Sequence, residues 1–109
     1  MTLQNLISEL NLEVLTETST ENTSADGCYI CDLLSLAMSK VSAKDVWVTV
    51  QVNVNIVAVA VLTEASCVLI AEGMNVEQSV IDKANSQDVI ILRTDKSAFE
   101  IAVKIGEML

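Results

Sequence analysis

The sequence has no histidine and no proline, and its aromatic content is one Trp, one Tyr and one Phe in 109 residues. Without histidine, the commonest general base and the commonest metal ligand are both missing. Triads of the Ser, His, Asp type are excluded outright. Glycine is scarce as well: Gly27, Gly73 and Gly106 are too few for a phosphate loop, and neither G-x-G-x-x-G nor G-x-x-x-x-G-K-[ST] occurs. A nucleotide, if one binds, must be held some other way.

Positive charge is the next shortage. Six Lys plus Arg stand against fifteen Asp plus Glu, a formal net charge of −9. Such a field repels phosphate backbones and anionic bilayers, and the cations Lys40, Lys44, Lys83, Arg93, Lys96 and Lys104 are scattered. Nucleic acid and membrane surfaces are therefore not expected partners. The opening residues Met1 to Asn5 lack a basic flank and a long apolar run, and the longest unbroken apolar run, Ile56 to Leu62, is far below spanning length. The expectation is a soluble cytoplasmic chain. Three cysteines, Cys28, Cys31 and Cys67, are an odd set without a secretory signal, which points to reduced thiols rather than a disulfide framework.

What is present is apolar. With 51% hydrophobic residues, 19% charged residues and a mean hydropathy of +0.49, the chain has material for one core and is not a disordered tail. One domain over residues 1–109 is expected. Thr2 can cap a first helix whose Leu3, Leu6, Ile7 and Leu10 share one stripe. Leu12 to Leu15 is a short strand candidate, Thr16 to Asp26 reads as a loop, and Gly27 to Ile30 as a brief strand. Asp32 then opens a helix carrying Leu33, Leu34, Ala37, Met38 and Val41.

From Val46 to Ile56 the valines alternate with Trp47, Thr49, Gln51, Asn53 and Asn55, which by parity alone is one long strand. The alternation fails after Ile56, so we split the segment into a strand to about Gln51 and a buried helix from about Asn53 to Glu64. Cys67 to Ile70 is the next strand, and Asn75 to Gln78 has the layout of a capping box ahead of a helix with Val76, Val80, Ile81 and Ala84. Val89 to Leu92 is a strand, and Ala98, Ile101, Ala102, Ile105 and Leu109 form a last helix behind Thr94 or Asp95. Strand and helix alternate, which predicts an α/β fold, a layered α/β/α domain with a central parallel or mixed sheet of about 4–5 strands.

Three groups of residues could carry function. Cys28 and Cys31 form a C-x-x-C ahead of a helix start, where the dipole favours a thiolate; the alternative is two cysteines acting as small apolar side chains. As a metal site the pair lacks a fourth ligand, and no metal or cofactor is expected. The polar set Thr49, Gln51, Asn53 and Asn55, with Thr94, Asp95 and Ser97, falls at strand ends, where open α/β sheets place ligands; the competing reading is that these residues cap helices and satisfy turns. Lastly, Ile56 to Leu62 is apolar on every helical face, a surplus that means deep core or an interface. Ile56, Val57, Val59 and Ala60 are the candidates for contact in a two-fold dimer.

The residues Gly27, Tyr29, Asp32, Leu33, Leu34, Ser35 and Met38, then Trp47, Thr49, Gln51 and Asn55 to Ala60, and the run Thr94 to Ile101, resemble the small stand-alone proteins of the DRTGG-domain family. The resemblance covers nearly the whole chain, although the five-letter string that names the family is absent and Cys28 and Cys31 are not part of its pattern. It implies an α/β module similar to the N-terminal domains of HPr kinase and Mur ligases. Related domains accompany CBS domains in regulatory pyrophosphatases and look like regulatory or dimer-forming modules, not catalytic ones. A kinase label sometimes given to stand-alone members fails here, since no P-loop is present. The expected function is a non-enzymatic regulatory or sensory module, a homodimer that binds a small metabolite or nucleotide and answers to a protein partner. The rival is a redox- or metal-linked protein that uses Cys28 and Cys31 with an electron-transfer complex.

Overall fold

The computed structural model describes residues 1–109, in the order α1 (Leu3–Leu10), β1 (Glu13–Val14), β2 (Gly27–Ile30), α2 (Leu34–Lys40), β3 (Asp45–Thr49), α3 (Asn55–Thr63), β4 (Cys67–Ile70), α4 (Gln78–Ser86), β5 (Ile91–Arg93) and α5 (Ala98–Met108). The five strands form one mixed sheet in the order β1-β5-β4-β3-β2. β2 to β5 are parallel, and β1 closes the edge antiparallel to β5. The expected layered α/β/α architecture is the one observed. No helix is long and apolar enough to cross a membrane.

Each step from β2 to β5 moves one strand over in the same direction. Right-handed crossovers then place α2, α3 and α4 on one face of the sheet, and α1 and α5 cover the other. Side chains alternate between the two. Val46, Val48, Cys67, Leu69 and Leu92 pack with Leu3, Leu6, Ile101 and Ile105 beneath α1 and α5. Trp47, Val68, Ile70 and Ile91 pack with Ala37, Ile56, Val59, Ala60 and Ala84 beneath the other three helices. Strands buried on both sides need apolar residues at every position, which is why Cys67 to Ile70 is a continuous run.

The helix ends correct several expectations. Thr2 does cap α1, its Oγ1 accepting the Asn5 N–H at 3.2 Å. The cap of α5 is Ser97, not Thr94 or Asp95: Ser97 Oγ accepts the Glu100 N–H at 3.1 Å and donates to the Glu100 carboxylate at 3.2 Å, so one hydroxyl both caps the helix and orients the acid in its first turn. The box expected at Asn75 does not form. Helix α4 begins at Gln78, with Glu77 in the cap position, and Asn75 Oδ1 instead accepts from Arg93 Nη1 at 3.3 Å. Asp32 likewise precedes α2 without capping it.

Strand β3 ends at Thr49, and residues 50–54 turn into α3. Asn53 makes that turn, its Oδ1 accepting the Asn55 N–H at 2.8 Å and its carbonyl the Ile56 N–H at 3.0 Å. Within α3, Ile56, Val57, Val59 and Ala60 are all buried in the chain's own core. These four are therefore not available to a partner, contrary to the expectation that they form a dimer contact. The apolar side chains that α3 leaves exposed are Val54, Ala58, Val61 and Leu62.

Candidate functional site

Because β2 to β5 are parallel, their carboxyl ends and the loops that follow them share one edge of the sheet. Helix α4 leaves β4 toward one face and α5 leaves β5 toward the other, so a crevice opens between these two loops. Here it is tied shut. The Gly73 N–H donates to the Thr94 carbonyl at 2.8 Å, the Glu72 N–H to the Lys96 carbonyl at 2.9 Å, and the Thr94 N–H to the Ile70 carbonyl at 2.9 Å. Gly73 has φ +62°, a conformation that favours glycine, and a Cβ there would lie 2.8 Å from Asp95 Oδ1, so the Asp95 carboxylate would have to move aside.

The seven polar residues read from the sequence do not converge. Thr49 is 1% exposed. Its hydroxyl donates to Asp32 Oδ1 at 2.8 Å and accepts the Gln51 N–H at 3.1 Å, while the same Asp32 oxygen accepts the Val50 N–H at 2.9 Å. This latch fixes the loop after β2 to the loop after β3. Thr94 is buried, with its hydroxyl accepting the Lys96 N–H at 3.3 Å, and Ser97 is committed to capping α5. Asn55 stands apart, between two grooves that flank α3.

Gln51 and Asn53 are brought together with residues that the sequence reading missed. They line a cleft of about 530 Å³ with Asn75, Glu77 and Ser79, over an apolar floor that includes Val52 and Val80. Asp95 faces a neighbouring polar depression of about 150 Å³, shared with Asn11, Glu13, Arg93, Thr94 and Lys96. Arg93 spans the two. Its Nε and Nη2 lie 2.9 and 2.8 Å from Glu13 Oε1, and its Nη1 reaches Asn75 in the cleft. Asn75 and Glu77 had a sequence signal, the capping-box layout; since the helix does not use the box, both side chains line the cleft, with Asn75 also bonded to Arg93.

The cleft offers amide donors and acceptors from Gln51, Asn53 and Asn75, the Ser79 hydroxyl and the Glu77 carboxylate. The one cation beside it, Arg93, is already paired with Glu13. That chemistry matches the edge of a base, an amide or a sugar hydroxyl better than a bare phosphate.

The cysteines do not form a working pair. Cys28 packs against the core beneath α1 and α5, and Cys31 belongs to the core beneath α2, α3 and α4. Three residues apart on an extended chain, they point to opposite faces. Burial, with the charge of Asp45 adding to it, pushes the Cys28 thiol up from 9.0 to about 11. Burial also pushes the Cys67 thiol up, followed by the influence of Cys28. Cys31 Sγ donates to the Leu33 carbonyl at 3.3 Å, and the Cys31 carbonyl accepts the Trp47 indole N–H at 2.8 Å. The redox reading of a Cys28/Cys31 dithiol is overturned by this geometry, and no group of three or more metal-ligating Cys, Asp or Glu side chains is assembled.

Over residues 5–108 the chain matches the DRTGG domain. It belongs to the DRTGG domain family. The match takes in every strand and both depressions at the carboxyl edge. Among solved structures, this DRTGG domain is similar to the CBS and DRTGG domains of the regulatory region of Clostridium perfringens pyrophosphatase, complexed with the activator diadenosine tetraphosphate. The TM-score is 0.80 at 15% identity, covering 99% of this chain and 47% of that one, so the likeness is one of fold and this chain spans about half that structure's length. No curated protein matches the sequence.

Proposed function

We propose that this DRTGG domain is a non-enzymatic regulatory module that binds a small metabolite or nucleotide in the Gln51, Asn53, Asn75, Glu77, Ser79 cleft and works as a self-associated pair. The observation that carries this reading is the cleft itself. Its amide and hydroxyl groups stand on loops held rigidly by the Asp32 latch and by the bonds between the loops after β4 and β5. The role of a DRTGG domain in the regulatory region of the pyrophosphatase supports the same reading. Three unpaired cysteines suit a reducing compartment, consistent with a cytoplasmic module.

The test is a thermal-shift screen against adenine and guanine nucleosides, their nucleotides, dinucleotides and acyl phosphates. A ligand at a hundred times its Kd stabilises the native state by about 2.7 kcal/mol. Gln51→Ala and Ser79→Ala should abolish that shift while leaving the unliganded melting temperature unchanged, since neither side chain bonds to the rest of the fold. A flat screen, or a shift that survives both substitutions, overturns the assignment of the cleft.

A further inference from the structure

Arg93 holds the one ion pair of the molecule, and that pair stands between the cleft and the polar depression beside it. Its Nε and Nη2 both turn to Glu13 Oε1, whereas Nη1 reaches Asn75 Oδ1 in the cleft wall. The arginine side chain is 27% exposed and the glutamate 54%, so the acid covers a cation that is itself largely sunk into the wall. Glu13 is the first residue of β1, and the antiparallel register sets it directly opposite Arg93. The sheet therefore fixes the acid where it is, without help from a loop.

The pairing decides the charge that a ligand meets. Glu77 is the one charged residue lining the cleft. In the depression the cations Arg93 and Lys96 are matched by Glu13 and Asp95. No uncompensated positive charge faces either hollow, and the chain as a whole carries −9. A phosphate entering here has to displace the Glu13 carboxylate from Arg93, or else lie near Glu13 and Glu77 with no cation of its own. An uncharged molecule meets neither cost.

Given the ligand site proposed above, on which this rests, we propose that the cleft takes an uncharged nucleoside and rejects its phosphorylated forms, and that Glu13 sets this choice by occupying Arg93. The amides of Gln51, Asn53 and Asn75 complement the edge of a base, Val52 and Val80 lie under its face, and the Glu77 carboxylate accepts from sugar hydroxyls. A volume of about 530 Å³ is within the range of small-molecule pockets. Glu13 is then a specificity-determining residue outside the cleft. Freed of it, the Arg93 guanidinium becomes the partner of a 5′-phosphate.

Isothermal titration of the full chain at low ionic strength, with adenosine, guanosine, cytidine and uridine and the 5′-monophosphate of each, tests this. The wild type should bind a nucleoside about tenfold or more tightly than its monophosphate. Glu13→Gln should close that gap, and adding Arg93→Gln to it should open the gap again. Glu17→Gln removes the same charge near the far end of α4, where the Glu17 N–H meets Asn85, and should leave the gap as it is, which separates the ion pair from the overall field. Far-ultraviolet circular dichroism checks that each variant is folded, and the wild-type comparison needs no variant. A monophosphate bound by the wild type as tightly as its nucleoside, or a gap unchanged in folded Glu13→Gln, overturns the role of Glu13 and leaves the cleft standing as a ligand site. No binding of any of these compounds overturns the cleft, and the nucleoside with it.

Discussion

On one side of the sheet α1 and α5 carry clean apolar stripes and hydroxyl caps, Thr2 and Ser97; on the other, the residues immediately preceding α2, α3 and α4 make no side-chain cap bond, and only Asn53, two residues before α3, bonds to a first-turn N–H. The first layer is specified locally, by period and cap. The second depends on what its helices are buried against, and α3, with valines at high density, has poor intrinsic helix propensity. Substitutions should therefore act differently in the two layers, and within α3 they should act differently on its two sides.

The largest effect is expected at Val59, which is buried in α3. Val59→Glu puts an unpaired carboxylate into the core and should cost on the order of 4 kcal/mol or more, unfolding the chain instead of yielding a folded monomer. Leu62→Glu, three residues on, should stay folded. Urea denaturation of the two variants decides the point, and a native-like midpoint for Val59→Glu would show that α3 is not seated as described. Next come Ile56→Ala and Ile105→Ala, one from each layer and both with no exposed surface, each expected to cost about 3 kcal/mol. Similar losses would show that both layers are needed for the fold; a much smaller loss for Ile56 would mean that the α3 layer folds only with a partner.

A smaller effect separates the caps. Ser97→Ala removes the α5 cap and should cost about 1 kcal/mol, read as a lower melting temperature. Glu77→Ala at the corresponding position of α4 should cost little, because the Glu77 side chain makes no cap bond, and its effect should fall on ligand affinity instead.

These contrasts explain what could be read from the sequence. The stripes of α1 and α5 follow from a period of 3.6 on half-exposed helices, and the parallel sheet follows from the alternation of elements. The split after β3 is legible only from the lost alternation beyond Ile56, which places the strand end at about Gln51, two residues past the observed Thr49, because the period-two pattern continues although the backbone turns. In α3 no periodicity distinguishes core from surface, because every face is apolar; only the common winding direction of the crossovers decides which side meets the sheet. The cleft was half legible. Gln51 and Asn53 stand out in the sequence by their place at a strand end and do line the cleft, whereas Asn75 and Glu77 sit in a capping-box layout that α4 does not use.

The cysteines give the finest probe of the two layers, since the sheet separates Cys28 from Cys31. A thiol raised from 9.0 to about 11 keeps its proton in the native state over the interval in which the unfolded chain releases it. The native state then binds more protons than the unfolded state, so stability falls as pH rises. Below about pH 9 the contribution is fully present, and it is lost through pH 11. Stability measured between these limits should decline, and Cys28→Ala should reduce the slope without abolishing it, because Cys67 is raised by burial in the same direction. At neutral pH, Cys28 should react with iodoacetamide more slowly than a free thiol, as a protonated sulfur is a poor nucleophile. Rapid alkylation of Cys28 would mean that the α1/α5 layer opens at that edge, and would separate the two layers in stability as well as in sequence.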